Sequence, residues 1–253
     1  MTRLSSLQEA AIADAIRLAF REAEVPEPGE GTAAMVTPLD ALIAAFPLCS
    51  AEVPELSRRS AVLHLQRLAP PFGAAPPVPL DDDEPLAGFL YAAPVQGEAW
   101  GCILVERADI IERRRFSAAH ELGHYLLHFR PQVARMGVDA HPTFVEGLGY
   151  QQPATEAGNA AEGSVLPEAR LLITDAEVPE DEDVRERLER EANAFAAALL
   201  MPGPLCRRLV ERYGGSLASA KRLASELLVS PAAMRVRLLD LGLLSSPKPE
   251  ILQ

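Results

Sequence analysis

Phe116-Ser117-Ala118-Ala119-His120-Glu121-Leu122-Gly123-His124-Tyr125-Leu126-Leu127-His128 contains the pattern His-Glu-x-x-His, and its reading decides how the rest of the chain is understood. On an α-helix, residues four apart lie about 40° apart around the axis and about 6 Å along it. Both imidazoles can therefore reach one tetrahedral Zn²⁺, with Glu121 on the adjoining face, placed to take a proton from an attacking water. The apolar Phe116, Ala119, Leu122, Leu126 and Leu127 predict a buried helix rather than a surface one. Gly123 costs about 1 kcal/mol relative to Ala in mid-helix, which implies that another element approaches the backbone there. The periodicity predicts a helix from about Ile110 or Arg114 to Phe129, ended by Pro131. Arg113, Arg114 and Arg115 read either as a surface for an acidic partner or as a solvated basic start to that helix.

Working upstream, two short strands precede the motif, Leu86–Tyr91 and Trp100–Val105, with a turn between Pro94 and Glu98. Before them, apolar residues at three- and four-residue steps from Leu4 to Phe20 predict a helix ending before Pro26. A second helix is expected with Thr37 as N-cap and Pro38 at its first position, and a third from Glu55 to Leu68. The lone His64 on that third helix reads as a packing or surface residue.

Downstream, Pro131 to Asp183 shows little periodicity apart from Ala169–Thr174, and an unstructured stretch of that length is unusual in a compact domain. It is expected to be a long acidic insertion, either a lid over the cleft or a solvated loop. From Pro131 to Glu186 there are 12 acids and 3 bases, whereas Gly203 to Lys248 has 8 bases and 3 acids. The next helix is expected from Val184 to Leu200. Two histidines leave zinc one protein ligand short of the usual three, and this helix offers Glu189 and Glu191. They lie about 200° apart around the axis, so one faces the metal. Glu189 is the expected ligand because Asn193, four residues on, can then steady a ligating histidine; Glu191 is the alternative, otherwise a solvated charge. Ala192 and Ala196 are small enough for close packing on the motif helix. Three further short helices end the chain, the last two joined by a tight turn and started by Ser230-Pro231, a helix-turn-helix-like arrangement. Its Arg235 and Arg237 are the residues that would face phosphates if the module binds DNA.

The bulk properties narrow the class. At 253 residues the chain can bury a substantial core, and its net charge of −12 argues against a surface devoted to nucleic acid. Cys49, Cys102 and Cys206 form no Cys-x-x-Cys pair, so neither a disulfide framework nor a thiolate zinc site is expected. No secretory signal and no membrane span are expected, and the expected location is the cytoplasm.

Taken together, Phe116-x-x-Ala119-His-Glu-Leu-Gly-His-x-Leu-Leu-His128, then Glu189-x-x-Ala-Asn-x-Phe-Ala196, then Leu199-Leu-Met-Pro202, resemble the ImmA/IrrE family of metallopeptidases. The tail Ala224-x-x-x-x-Val229-Ser, ending in Arg237-Leu-x-x-Leu-Gly-Leu243, is similar to the segment C-terminal to the peptidase core in that family. The resemblance covers Leu86–Phe129 and Val184–Leu243. It implies an α+β, mostly helical zincin fold with a small antiparallel sheet. The expected division is a peptidase domain over 1–203, with the insertion at 131–183, and a helix-turn-helix-like module over 204–253. The resemblance implies zinc on His120, His124 and Glu189, with Glu121 as catalytic base. It further implies cleavage of a helix-turn-helix repressor, releasing stress-response or mobile-element genes. The 64 residues between His124 and Glu189 exceed what most members use, and a C-terminal sensor domain is not expected after Leu243. Tyr125, His128, His141 and Tyr150 are the conceivable electrophiles for the tetrahedral oxyanion. The competing expectation is a DNA- or protein-binding regulator whose zinc site is structural or vestigial.

Overall fold

The computed structural model describes residues 4–29, 34–68, 83–95, 97–136, 143–149, 172–174 and 182–244, with the backbone alone for 136, 143–149, 172–174, 182–183 and 217–218. Helix α1 (Ser6–Glu22) starts at a capping box in which the Ser5 hydroxyl accepts from the Gln8 N–H and the Gln8 side chain accepts from the Ser5 N–H. It buries Ile12, Ala15, Ala19 and Phe20, residues spaced to share one face. Helix α2 (Leu39–Ala44) follows without a side-chain cap. Thr37 is therefore not its N-cap; its buried hydroxyl instead donates to the carbonyl of Leu199 at 2.7 Å.

The strands are β1 (Leu48–Val53), β2 (Leu86–Val95), β3 (Glu98–Glu106), β4 (Thr143–Gly149) and β5 (Leu172–Thr174), and α3 (Arg58–Leu68) lies between β1 and β2. Their order in the sheet is β1-β3-β2-β4-β5. β1 runs parallel to β3 while the other pairs are antiparallel, so the sheet is mixed rather than antiparallel as expected. The β2–β3 hairpin is the centre of this layer, and alternation sorts its side chains. Phe89, Tyr91, Ala93, Cys102 and Leu104 pack with Val53, Leu56, Ala61 and Leu65 on the α3 side. Leu90, Ala92, Ile103 and Val105 join the larger core on the other side. Both faces are covered, which explains the nearly unbroken apolar run in β3.

The motif helix α4 (Ile111–His124) continues through a π-helical turn (Tyr125–Phe129) into α5 (Arg130–Met136). Pro131 thus fails to end the helix as expected. The Arg130 N–H reaches back five residues to the Tyr125 carbonyl, and this widened turn relieves the clash that a proline ring makes in a regular α-helix. The three arginines at its start meet neither expectation. Arg113 pairs with Asp109 at 3.1 Å and Arg114 with Glu52 on β1 at 2.5 Å, while Arg115 donates to the Thr37 carbonyl at 2.9 Å. Arg113 closes the entry to α4, while Arg114 and Arg115 fasten the helix to its neighbours.

Helix α6 (Glu182–Leu200) crosses α4, and α7 (Gly203–Tyr213), α8 (Leu217–Leu227) and α9 (Pro231–Asp240) complete the described fold. Leu205, Leu209, Leu223, Leu227, Met234 and Leu238 share one apolar core with Leu122, Phe195 and Leu199. The turn between α8 and α9 is made by Leu228 in the left-handed conformation, φ 52°. Arg237 is not offered to phosphates: its guanidinium Nε–H donates to the Met201 carbonyl at 3.1 Å, and burial lowers its pKa. Arg235 stays exposed. Part of the stretch expected to be an unstructured insertion is β-strand: β4 pairs with β2, and β5 with β4.

Candidate metal centre

The centre forms where α4 and α6 touch. A Cβ added to Gly123 would lie 3.0 Å from Phe195 Cδ1 and 3.3 Å from the Cα of Ala192. That is the close approach expected from the mid-helix glycine, and small residues on both helices permit it. With the helices this near, His120 and His124 face Glu189. The two Nε2 atoms are 3.0 Å apart, and Glu189 places one carboxylate oxygen 3.4 Å from His120 and the other 3.5 Å from His124. Donor atoms of all three lie within 4.8 Å of one another, and this group could hold a metal ion.

The protonation pattern tests whether a cation fits. His120 is fully buried, and desolvation lowers its pKa, which keeps the ring neutral with a single N–H. Its Nδ1 lies 3.1 Å from the Asn193 side-chain oxygen, an acceptor only. The proton therefore sits on Nδ1, and the Nε2 lone pair points at the carboxylate and at the second imidazole. A lone pair facing a carboxylate makes a place that a cation fits. Two nitrogens and a carboxylate form a donor set suited to zinc.

Glu191, the alternative ligand, faces away from this cluster, yet it is not the solvated charge expected of the unused carboxylate. One oxygen accepts from His128 at 3.1 Å and the other from the Gln8 amide at 2.6 Å, with the side chain 17% exposed. The His128 bond, followed by the Gln8 bond, lowers the Glu191 pKa against the effect of burial. His128 in turn places its Nδ1 3.0 Å from Nδ1 of His124. Burial pulls the His128 pKa down to about 4, so this ring is neutral near pH 7. Four-residue steps drift about 40° on a regular α-helix. The wider π turn works against that drift and brings His128 beneath His124.

Glu121 is buried against the sheet rather than in the cluster of His120, His124 and Glu189. A Cβ at Gly88 of β2 would lie 2.8 Å from its Oε1 and 3.2 Å from the Ser117 Cβ, so Gly88 makes the space the carboxylate occupies. Of the conceivable electrophiles, Tyr125 is buried and donates its hydroxyl to the Ala99 carbonyl at 2.5 Å, with its pKa raised to about 12 by burial. His128 is engaged as described, and His141 and Tyr150 lie outside the described residues.

Residues 175–239 match the family model of the IrrE N-terminal-like domain, Peptidase_M78. Over that stretch the chain is similar to an IrrE N-terminal-like domain. The match takes in Glu189, Glu191 and Asn193 together with α7, α8 and most of α9. His-Glu-x-x-His lies upstream of it, so the sequence motif and the family match reach the centre from separate stretches of chain. No curated protein matches this chain. Among the described residues, no helix is long and apolar enough to cross a membrane.

Proposed function

We propose that this chain is a zinc-dependent endopeptidase that hydrolyses a peptide bond in a protein partner, with His120, His124 and Glu189 as metal ligands. The supporting observation is the convergence of two buried imidazoles and one carboxylate on the helix that also carries the buried Glu121. When bound, zinc supplies Lewis acidity, lowering the pKa of water to about 7 and polarising a carbonyl. Glu121, held between α4 and Gly88, takes the proton from the attacking water and delivers it to the leaving amine. Asn193 keeps His120 in the tautomer whose Nε2 lone pair faces the ion.

The proposed substrate is a helix-turn-helix transcriptional repressor, whose cleavage would release stress-response or mobile-element genes. Its support is the resemblance of the ordered motifs together with the family match at 175–239. The test is cleavage of a helix-turn-helix repressor encoded beside this gene. Wild-type protein should cut it in a chelator-sensitive way. Glu121→Gln should keep stoichiometric zinc and lose at least a hundredfold in rate, about the lower range of a general base's contribution. Persistent cleavage by Glu121→Gln rules out this mechanism.

A further inference from the structure

Building on the metal site above, we propose that His128, Glu191 and Gln8 are positioning residues that hold His124 in its metal-binding orientation, extending the site to the first helix of the chain.

The direction of every hydrogen bond follows from the outer end. There Gln8 cannot turn its amide freely, because its Oε1 accepts from the Ser5 N–H at 2.8 Å in the α1 capping box. Its NH₂ therefore faces Glu191, donating at 2.6 Å. A carboxylate accepts only, so the other Glu191 oxygen receives the His128 Nε2–H at 3.1 Å. A neutral imidazole with its hydrogen on Nε2 carries a lone pair on Nδ1. That lone pair accepts from the Nδ1–H of His124 across 3.0 Å. His124 is thereby left with its lone pair on Nε2, the atom that lies 3.0 Å from His120 Nε2 and 3.5 Å from Glu189. The lone pair of His124 Nε2 is thus set through three side chains from the Ser5 N–H, a backbone donor that Ser5→Ala keeps.

Burial supports a built network rather than a chance surface contact. His124 is fully buried and His128 nearly so. Glu191 is also 3.9 Å from Arg187, but that arginine is half-exposed and lies on the solvent side. Partners behind a ligating histidine raise its basicity and fix its ring, and losing them costs about 10–100-fold in metal affinity. His120 has one such partner, Asn193. His124 has a chain of three, reaching an element 183 residues away from Glu191 in sequence.

The experiment is zinc competition against a chromophoric chelator on the full chain, with thermal melts of the metal-free proteins in parallel. Glu191→Ala should weaken zinc binding by about 10–100-fold. Glu191→Gln, which keeps an acceptor for His128 without the charge, should fall between it and wild type. Gln8→Ala should weaken binding by a few-fold, whereas Ser5→Ala, which loosens the same helix cap without touching Glu191, should lower the melting temperature and leave zinc affinity unchanged. Cobalt loaded in place of zinc should show a shifted d–d absorption in Glu191→Ala, a signature that general loosening of the fold would not produce. Wild-type binding with unchanged affinity in both Glu191 variants overturns the proposal while leaving the metal site standing. Equal effects of Gln8→Ala and Ser5→Ala remove Gln8 from the chain. Failure of wild-type protein to bind one zinc overturns the metal-site reading itself.

Discussion

Gly123→Ala is the most informative single substitution, because two opposite effects meet at one atom. In an exposed helix the change would stabilise by about 1 kcal/mol, since Ala is the better helix former. Here the new methyl would lie 3.0 Å from Phe195 Cδ1 and 3.3 Å from the Ala192 Cα, so a neighbour must give by a few tenths of an ångström. Phe195 is fully buried, and Ala192 is backbone, so neither yields freely. Overpacking of this kind costs about 1–3 kcal/mol. The net expectation is a loss of about 0–2 kcal/mol, or a melting temperature lower by up to about 8 °C at this chain length. The second consequence is more specific. Ala192 lies between Glu189 and Asn193, so any outward shift of α6 carries the Glu189 carboxylate and the His120 partner away together. Zinc affinity should therefore fall by more than the stability change alone would suggest. Urea denaturation of the metal-free protein and chelator competition measure the two effects separately. Phe195→Leu added to Gly123→Ala should show a favourable coupling energy in a double-mutant cycle. A Gly123→Ala protein that is more stable by about 1 kcal/mol and binds zinc unchanged would refute the close-packing argument.

Three other substitutions and titrations probe the surrounding geometry. Gly88→Ala places a methyl 2.8 Å from the buried Glu121 carboxylate and 3.2 Å from the Ser117 Cβ, so stability should fall by about 1–3 kcal/mol and the cleavage rate at least about tenfold, visible in a melt and a rate assay. Tyr125→Phe leaves the buried Ala99 carbonyl without its donor and should cost about 1–3 kcal/mol in urea denaturation. His128 has a folded pKa of about 4, below its ordinary 6.5, so the unfolded chain binds more protons between those values and metal-free stability should be full above pH 6.5 and fall as pH drops toward 4. At about 1.4 kcal/mol per pH unit this group alone contributes about 3 kcal/mol, and a flat stability profile across that window would contradict its burial as a neutral ring.

The legible part of the sequence is the part that short spacings encode. His120 and His124 four apart, and Glu189 and Asn193 four apart, define helix faces without any knowledge of the fold, and the structure brings those faces together. Gly123 signals a close approach because its cost has to be offset by something. β1 is not legible: Leu48-Cys-Ser-Ala-Glu-Val53 has no alternating pattern, and it is a strand because it pairs with β3. The π turn is hidden for a related reason, since one hydrogen bond reaching back an extra residue leaves no compositional trace, and Pro131 points the other way. Glu191 reads as a solvated charge because its partner, Gln8, lies on the far side of the sequence. The arginines at 113–115 stay ambiguous until Asp109, Glu52 and the Thr37 carbonyl are seen to take them up.

The pairing of β4 with β2 has a consequence for binding arithmetic. β2 already has β3 on one side, and β4 takes the other, with Leu148 in register opposite the Gly88 that makes room for Glu121. Strand addition is a common way for an extended peptide to dock on a sheet, but this border is taken by the chain's own strand. A partner seeking it faces a tethered rival, whose local concentration can reach the millimolar range. Its measured affinity would then be an exchange constant, one strand for another, rather than the strength of a contact with bare surface.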